Sequence, residues 1–158
     1  MPNSNYIVKE LQKYKSYWQY ILDKKIHLDF VDGEIKIILA RSPGGYVVLS
    51  KQSMNRPEVL DRLTIEKKRR VWNKIRRIEY WLKQLSLRER EAIFWRYIQH
   101  DFEPSPYYQQ NNLALKWKTL SWEEIAKKMR VSVAAVREYV DRGLSKIQEL
   151  VEAYTRSD

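Results

Sequence analysis

The stretch Ser121-Trp122-Glu123-Glu124-Ile125-Ala126-Lys127-Lys128-Met129-Arg130-Val131-Ser132-Val133-Ala134-Ala135-Val136-Arg137-Glu138-Tyr139-Val140 reads as two helices joined by a tight turn. Ser121 is a helix N-cap, and Glu124, three residues on, completes a capping box. Ile125, Ala126 and Met129 recur at helical spacing, so one face of the first helix is apolar. The small Ala126 lets a second helix cross closely. Arg130-Val131-Ser132 supplies the turn, with Val131 filling the angle between the helices and Ser132 capping the second. That helix directs Val136, Tyr139 or Val140, Leu144 and Ile147 inward, and Val133, Ala134, Arg137, Glu138 and Asp141 outward. Two readings fit: a helix-turn-helix whose outward face enters a DNA major groove, or a plain helical hairpin inside an all-α core.

Upstream, Leu85 to Ile98 predicts another capped helix. Ser86 and Glu89 repeat the capping-box spacing, and Leu87, Ala92, Ile93, Trp95 or Arg96, and Tyr97 form its inward face. Residues 99–120, rich in Pro, Tyr, Gln and Asn, read as a loop longer than compact domains usually carry. Before it, a long helix is expected over 57–84. Val71, Ile75, Ile78, Leu82 and Leu85 form a seam for another helix, in this chain or in a partner. The opposite face gathers Lys67, Lys68, Arg69, Arg70, Lys74, Arg76 and Arg77. Such a run is ordinarily a solvated face; the second reading is contact with phosphates.

The first 50 residues differ in character. Residues 5–24 predict a helix with Leu11, Tyr14, Trp18, Ile21 and Leu22 at spacings of three and four, either a surface helix with an aromatic stripe or a dimerisation helix. Ile26, Leu28 and Phe30 then alternate with polar residues, Asp32-Gly33 is a two-residue hairpin signal, and Ile35 and Ile37 alternate in turn. A β-hairpin is the preferred reading, followed by a short extended run from Tyr46 to Leu49. The rival is a continued helix, since Leu22, Ile26 and Phe30 also lie four apart. Pro43-Gly44-Gly45 breaks either structure and lacks the Lys-Ser/Thr of a phosphate loop. Residues 51–57 read as a linker. The chain divides into 1–52, an interaction or oligomerisation unit, and 55–158, a helical unit carrying the helix-turn-helix at 121–150. The expected fold class is mainly α.

At 158 residues the chain is one domain, or one small domain with an extension. Thirty Lys+Arg against 20 Asp+Glu leave a net charge of +10, which favours a polyanionic partner. A hydrophobic share of 44% is enough for a real core. With no cysteine there is no disulfide, thiol catalysis or cysteine zinc site. Met1-Pro2-Asn3-Ser4-Asn5 does not begin a signal peptide, and no run reaches the ~18 apolar residues of a membrane helix.

Residues 85–98 and 119–147 together resemble region four of bacterial sigma factors and related phage regulators. The pattern stands here as Leu87-Arg88-Glu89-Arg90-Glu91-Ala92-Ile93-Phe94-Trp95-Arg96-Tyr97, followed by the Ser121 cap, two acids, Ile125-Ala126, the Val131-Ser132 turn and Val136-Arg137. The whole layout is similar to small phage late-gene transcription regulators of the ArpU and RinA type, well over 55–150 and loosely over 1–50. The resemblance implies a sequence-specific double-stranded DNA-binding regulator of phage or prophage type. It also implies contact with bacterial RNA polymerase, in the cytoplasm and on the nucleoid of a bacterial host. Two departures stand out. Val133, Ala134 and Ala135 occupy positions where the family usually has polar readers, and the 99–120 loop is longer than the family's joint. Regions two and three of a sigma factor have no room in this chain, so promoter melting is not expected.

The expected DNA-binding residues are Arg137 as main reader, with Val133, Ala134 and Glu138 beside it. Ser132, Lys127, Lys128 and Arg130 would meet the DNA backbone near the groove, with Arg142 and Lys146 further along the same helix. Lys67, Lys68, Arg69, Arg70, Arg76 and Arg77 are the phosphate-facing candidates of the basic helix. A phage terminase small subunit, assembling as a ring, and a protein-interaction adaptor without DNA are the alternatives. A homo-oligomer fits the seam; no membrane partner, cofactor or metal is expected. Catalysis is not expected, since His27 and His100 lack partners in any metal or nucleophile pattern.

Overall fold

A computed structural model describes residues 3–40, 45–51, 66–99 and 120–156. In chain order the elements are α1 (Asn3–Gln12), α2 (Tyr14–Leu22), β1 (Ile26–Val31), β2 (Glu34–Ala40), β3 (Tyr46–Val48), α3 (Glu66–Lys83), α4 (Leu87–Ile93), a π-helical turn (Phe94–Ile98), α5 (Trp122–Met129) and α6 (Val133–Arg156). The protein is mainly helical, with one small antiparallel sheet ordered β1-β2-β3.

The alternation after residue 25 makes strands. Ile26 pairs with Leu39, Leu28 with Ile37 and Phe30 with Ile35, so the apolar set of both strands falls on one face. Asp32 and Gly33 adopt φ of 53° and 79°, the two left-handed positions of a type I′ turn, which matches the twist of the strands it joins. A helix continued through Ile26 and Phe30 is thereby ruled out. The short run after the break forms β3, paired Leu39 to Val47 and Ala40 to Tyr46.

The first helix departs from the expected single span of 5–24. It begins at Asn3, is interrupted at Lys13 and ends at Leu22. The Lys13 N–H reaches both the Lys9 and Glu10 carbonyls, a tightened turn from which the Tyr17 N–H resumes the regular ladder onto Lys13. Asp23 ends the run in the left-handed conformation. The expected long helix runs from Glu66 to Lys83; its segment 57–65 lies outside the described residues, as do 100–119 of the expected loop. The helix expected over 85–98 starts at Leu87 and widens into the π turn, where the Gln99 N–H bonds the Phe94 carbonyl five residues back. Leu87, expected to point inward, is 54% exposed. It stands in the first turn of α4, over Gly33 of the hairpin.

Two apolar clusters result. The larger joins α1, α2, the sheet, α3, the far half of α6 and the α4–π run through Ile7, Trp18, Ile37, Ile75, Phe94 and Ile147, all essentially inaccessible. The boundary drawn near residue 52 therefore does not separate two cores. The seam of α3 is used within the chain: α3 packs on α2 and α6, and Trp72 meets Trp18 edge-on at 5.6 Å. Such ring pairs contribute about 0.5–1.5 kcal/mol beyond their burial. The smaller cluster gathers Ile125, Ala126, Met129, Val136 and Val140 of α5 and α6 over Ala92 of α4.

α4 lies between the clusters, and Gly143 lets α6 come close to it. A Cβ at Gly143 would stand 2.4 Å from Ile93 Cδ1, which is fully buried. A helix-interior glycine costs about 1 kcal/mol relative to alanine, and here close approach offsets that. Gly143→Val is expected to lower the unfolding free energy by about 2 kcal/mol, within the range for overpacked cores. Urea denaturation checks this; an unchanged midpoint would mean that α6 is free to move away from Ile93.

Candidate nucleic-acid interface

α5 is fixed at both ends. At its start the Ser121 hydroxyl accepts from the Glu124 N–H, and the Ser121 N–H donates back to Glu124 Oε1, both at 3.2 Å. The Ser121 backbone bond is the largest of the influences holding the Glu124 carboxyl below its ordinary pKa. At its end Arg130 takes φ of 59°, and its N–H reaches the Ala126 and Lys127 carbonyls. The Met129 carbonyl accepts from the Arg88 guanidinium at 2.9 Å, satisfying one of the acceptors that a helix end leaves open. Val131 donates to the Ala126 carbonyl. The Ser132 hydroxyl then accepts from the Ala135 N–H at 3.0 Å and caps α6.

This geometry sets the faces of α6. Val136 and Val140 are buried, settling the inward choice between Tyr139 and Val140, while Tyr139 is half-buried. Ala134, Arg137, Glu138 and Asp141 are exposed on the other side, and Val133 and Ala135 are half-buried at its edge. Ser132, Lys127, Lys128 and Arg130 are exposed around the turn. The expected residues of the two-helix unit thus lie exposed or half-buried on α5, the turn and the first turns of α6. Arg142 is held in an ion pair with Glu138, one turn back.

Two tryptophans organise the cations here. The Arg137 guanidinium lies 5.0 Å from the Trp122 ring centroid, and that of Arg96 lies 4.0 Å from the same ring. Lys128 Nζ stands 4.6 Å from the Trp95 centroid. Arg96 also donates to the Leu120 carbonyl at 3.1 Å. Neither tryptophan is marked by periodicity or motif as a site residue: Trp122 and Arg137 are fifteen positions apart, and only the fold brings them together.

The basic helix is a different environment. Lys68 pairs with Asp23 at 2.7 Å, and Arg77 pairs with the buried Glu10 at 2.7 Å. Arg77 also lies over the rings of Tyr6 and Trp81. Lys67, Arg69, Arg70 and Arg76 are exposed. These side chains stand on a helix of the larger cluster, whereas the two-helix unit belongs to the smaller one.

Glu89 joins the site to the frame. Burial raises its carboxyl pKa, but the Lys146 ammonium and the Ser86 N–H and hydroxyl together hold it below the ordinary value. Lys146 Nζ stands 2.7 Å from Glu89 Oε1.

Comparison with protein-family models, with curated proteins and with solved structures returned no match. Among the described residues no helix is long and apolar enough to cross a membrane, and no three His, Asp or Glu side chains converge as metal ligands.

Two outcomes are expected. A carboxylate whose pKa is lowered by folding contributes stability above its ordinary pKa and loses it as pH falls through the lowered value. Glu89→Gln keeps the capping box but removes the charge, so its melting temperature should fall less between neutral and acid pH than that of the unmodified protein. Parallel pH profiles would remove the Lys146 pair as a source of acid sensitivity. At the turn, left-handed φ costs an L-residue about 1–2 kcal/mol. Arg130→Gly should therefore raise the unfolding free energy by about 1 kcal/mol, read by the same denaturation.

Proposed function

We propose that the chain is a sequence-specific double-stranded DNA-binding transcription regulator of phage or prophage type, without catalytic activity, acting in the cytoplasm of a bacterial host. The observation that carries the reading is the outward face of α6: Ala134, Arg137, Glu138 and Asp141 are exposed on the first turns of a capped helix whose opposite side is buried against α5. On this reading α5 and α6 are a helix-turn-helix of the sigma region-four kind, with α6 in the major groove. The net charge of +10 supports a polyanionic partner.

The roles follow from chemistry. Arg137 donates to guanine O6 and N7, the commonest specific contact in that groove. Ala134 and Val133 meet thymine methyls. Lys127, Lys128, Arg130 and the Ser132 hydroxyl face the phosphates flanking the groove, where they fix register without reading sequence. Arg142, paired with Glu138, lies further along the helix. The exposed cations of α3, Lys67, Arg69, Arg70 and Arg76, extend the positive surface. Contact with RNA polymerase rests on the resemblance alone.

Selection from a random duplex pool, followed by gel shift on the selected duplex, tests the reading. Arg137→Ala should weaken binding about tenfold, equivalent to ~1.4 kcal/mol and within the range for a bidentate base contact. Lys127→Ala should weaken all duplexes alike and reduce the salt slope by about one. Unchanged binding on loss of Arg137 overturns α6 as the reading helix, and no duplex binding at low salt overturns the function.

A further inference from the structure

We infer that Trp122 is a positioning residue for Arg137: its indole holds the guanidinium on the outward face of α6, without an ion-pair partner among the described residues. The inference rests on the proposed reading of DNA by that helix. Three observations on the free protein carry it. Arg137 lies 5.0 Å from the Trp122 ring centroid, within the range of a cation–π contact. The ring is itself held, because Arg96 stacks on it at 4.0 Å while bonded to the Leu120 carbonyl. And Arg137 makes no ion pair with Asp141, although the two stand at the i,i+4 spacing at which side chains meet on a helix, both exposed. The preceding acid on that helix, Glu138, is engaged by Arg142.

The physical consequence is a choice between partners. A carboxylate partner would neutralise Arg137 and turn it along the helix. The indole offers a polarised face without net charge, so the guanidinium keeps its donors and its full charge for an acceptor-rich base edge. Trp122 thus restricts Arg137 before binding, and less rotamer freedom is lost when the base contact forms. Removing the ring frees Arg137 to pair with Asp141.

The test uses the full chain and two duplexes, the selected one and a scrambled one of the same length. Trp122→Leu should weaken binding to the selected duplex about threefold, the scale of an exposed cation–π contact, and leave the scrambled duplex within experimental error. Trp122→Phe should restore most of the loss. Asp141→Asn should strengthen selected-duplex binding more in the Trp122→Leu background than in the unmodified protein, since the competing pair forms only there. A variant that merely loosened the fold would weaken both duplexes and gain nothing from Asp141→Asn, which overturns the inference. An unmodified selected-duplex affinity in Trp122→Leu overturns it too, while an effect of Arg137→Ala in the same assay leaves the reading helix standing. If Arg137→Ala is also silent, the reading and the inference fall together. In the unmodified protein the Arg137 Hε resonance should be displaced upfield by the indole ring current; a random-coil position excludes the contact without any variant.

Discussion

Three consecutive side chains, Arg88, Glu89 and Arg90, tie the molecule together. The Arg90 guanidinium donates to the Leu82 carbonyl at 3.0 Å, the Leu85 carbonyl at 3.1 Å and the Gly33 carbonyl at 2.7 Å. It thereby closes the end of α3 and pins the hairpin turn against α4. The planar fork of five donors suits this task, and a lysine could not satisfy three diverging acceptors in the same way. Glu89 closes the cap of α4 on Ser86 and accepts from Lys146 of α6. Arg88 reaches the last carbonyl of α5. One helical turn therefore fixes α3, the hairpin, α5 and α6 relative to one another. The contacts to the Leu82, Leu85 and Met129 carbonyls and to the Ser86 N–H lie at helix ends, where backbone groups lack intrahelical partners.

That arrangement explains why α4 can be short. It has seven residues before the π turn begins, too few to be stable alone. Its helicity comes from the faces it buries: Ala92 toward the smaller cluster, and Ile93 and Phe94 toward the larger. The π turn serves the same end. The extra residue per turn re-registers the run, so Phe94 and Ile98 both reach the larger cluster while Trp95 and Arg96 remain beside α5. Gly143 completes the fit from the α6 side, where any side chain would meet Ile93.

The features legible in the sequence were those whose physics is local. Both capping boxes were readable because Ser86 and Glu89, like Ser121 and Glu124, find each other within one turn. The hairpin was readable because Asp32-Gly33 supplies two left-handed residues between alternating strands. Periodicity identified the buried Val136 and the exposed Ala134, Arg137, Glu138 and Asp141 of α6, whereas Val133, expected outward, is half-buried against the smaller cluster. What could not be read depends on distant partners. The break at Lys13 carries no glycine or proline. Leu87 sits at a periodic inward position, yet it faces the hairpin turn and stays half open to solvent. Arg77 looked like one more cation of a solvated face, but Glu10 awaits it from α1. Trp122 has no reading of its own in the sequence, and its half-buried ring both packs on the smaller cluster and faces two arginines.

The positive charges meet carboxylates, rings or both, as Lys68 and Arg77 do. Lys68, Arg77 and Lys146 face carboxylates, Asp23, Glu10 and Glu89 respectively. Such pairs bind elements together, and each cancels its own field at a distance. Lys128, Arg96 and Arg137 face tryptophan rings, which orient a cation without neutralising it. The net charge of the chain is therefore not spread evenly in effect. On the larger cluster, part of it is consumed in holding α1, α2 and α6 to the rest of the core. Around α5 and α6, Lys128, Arg96 and Arg137 rest on rings, Arg142 is paired with Glu138, and Glu123, Glu124 and Asp141 are exposed beside them.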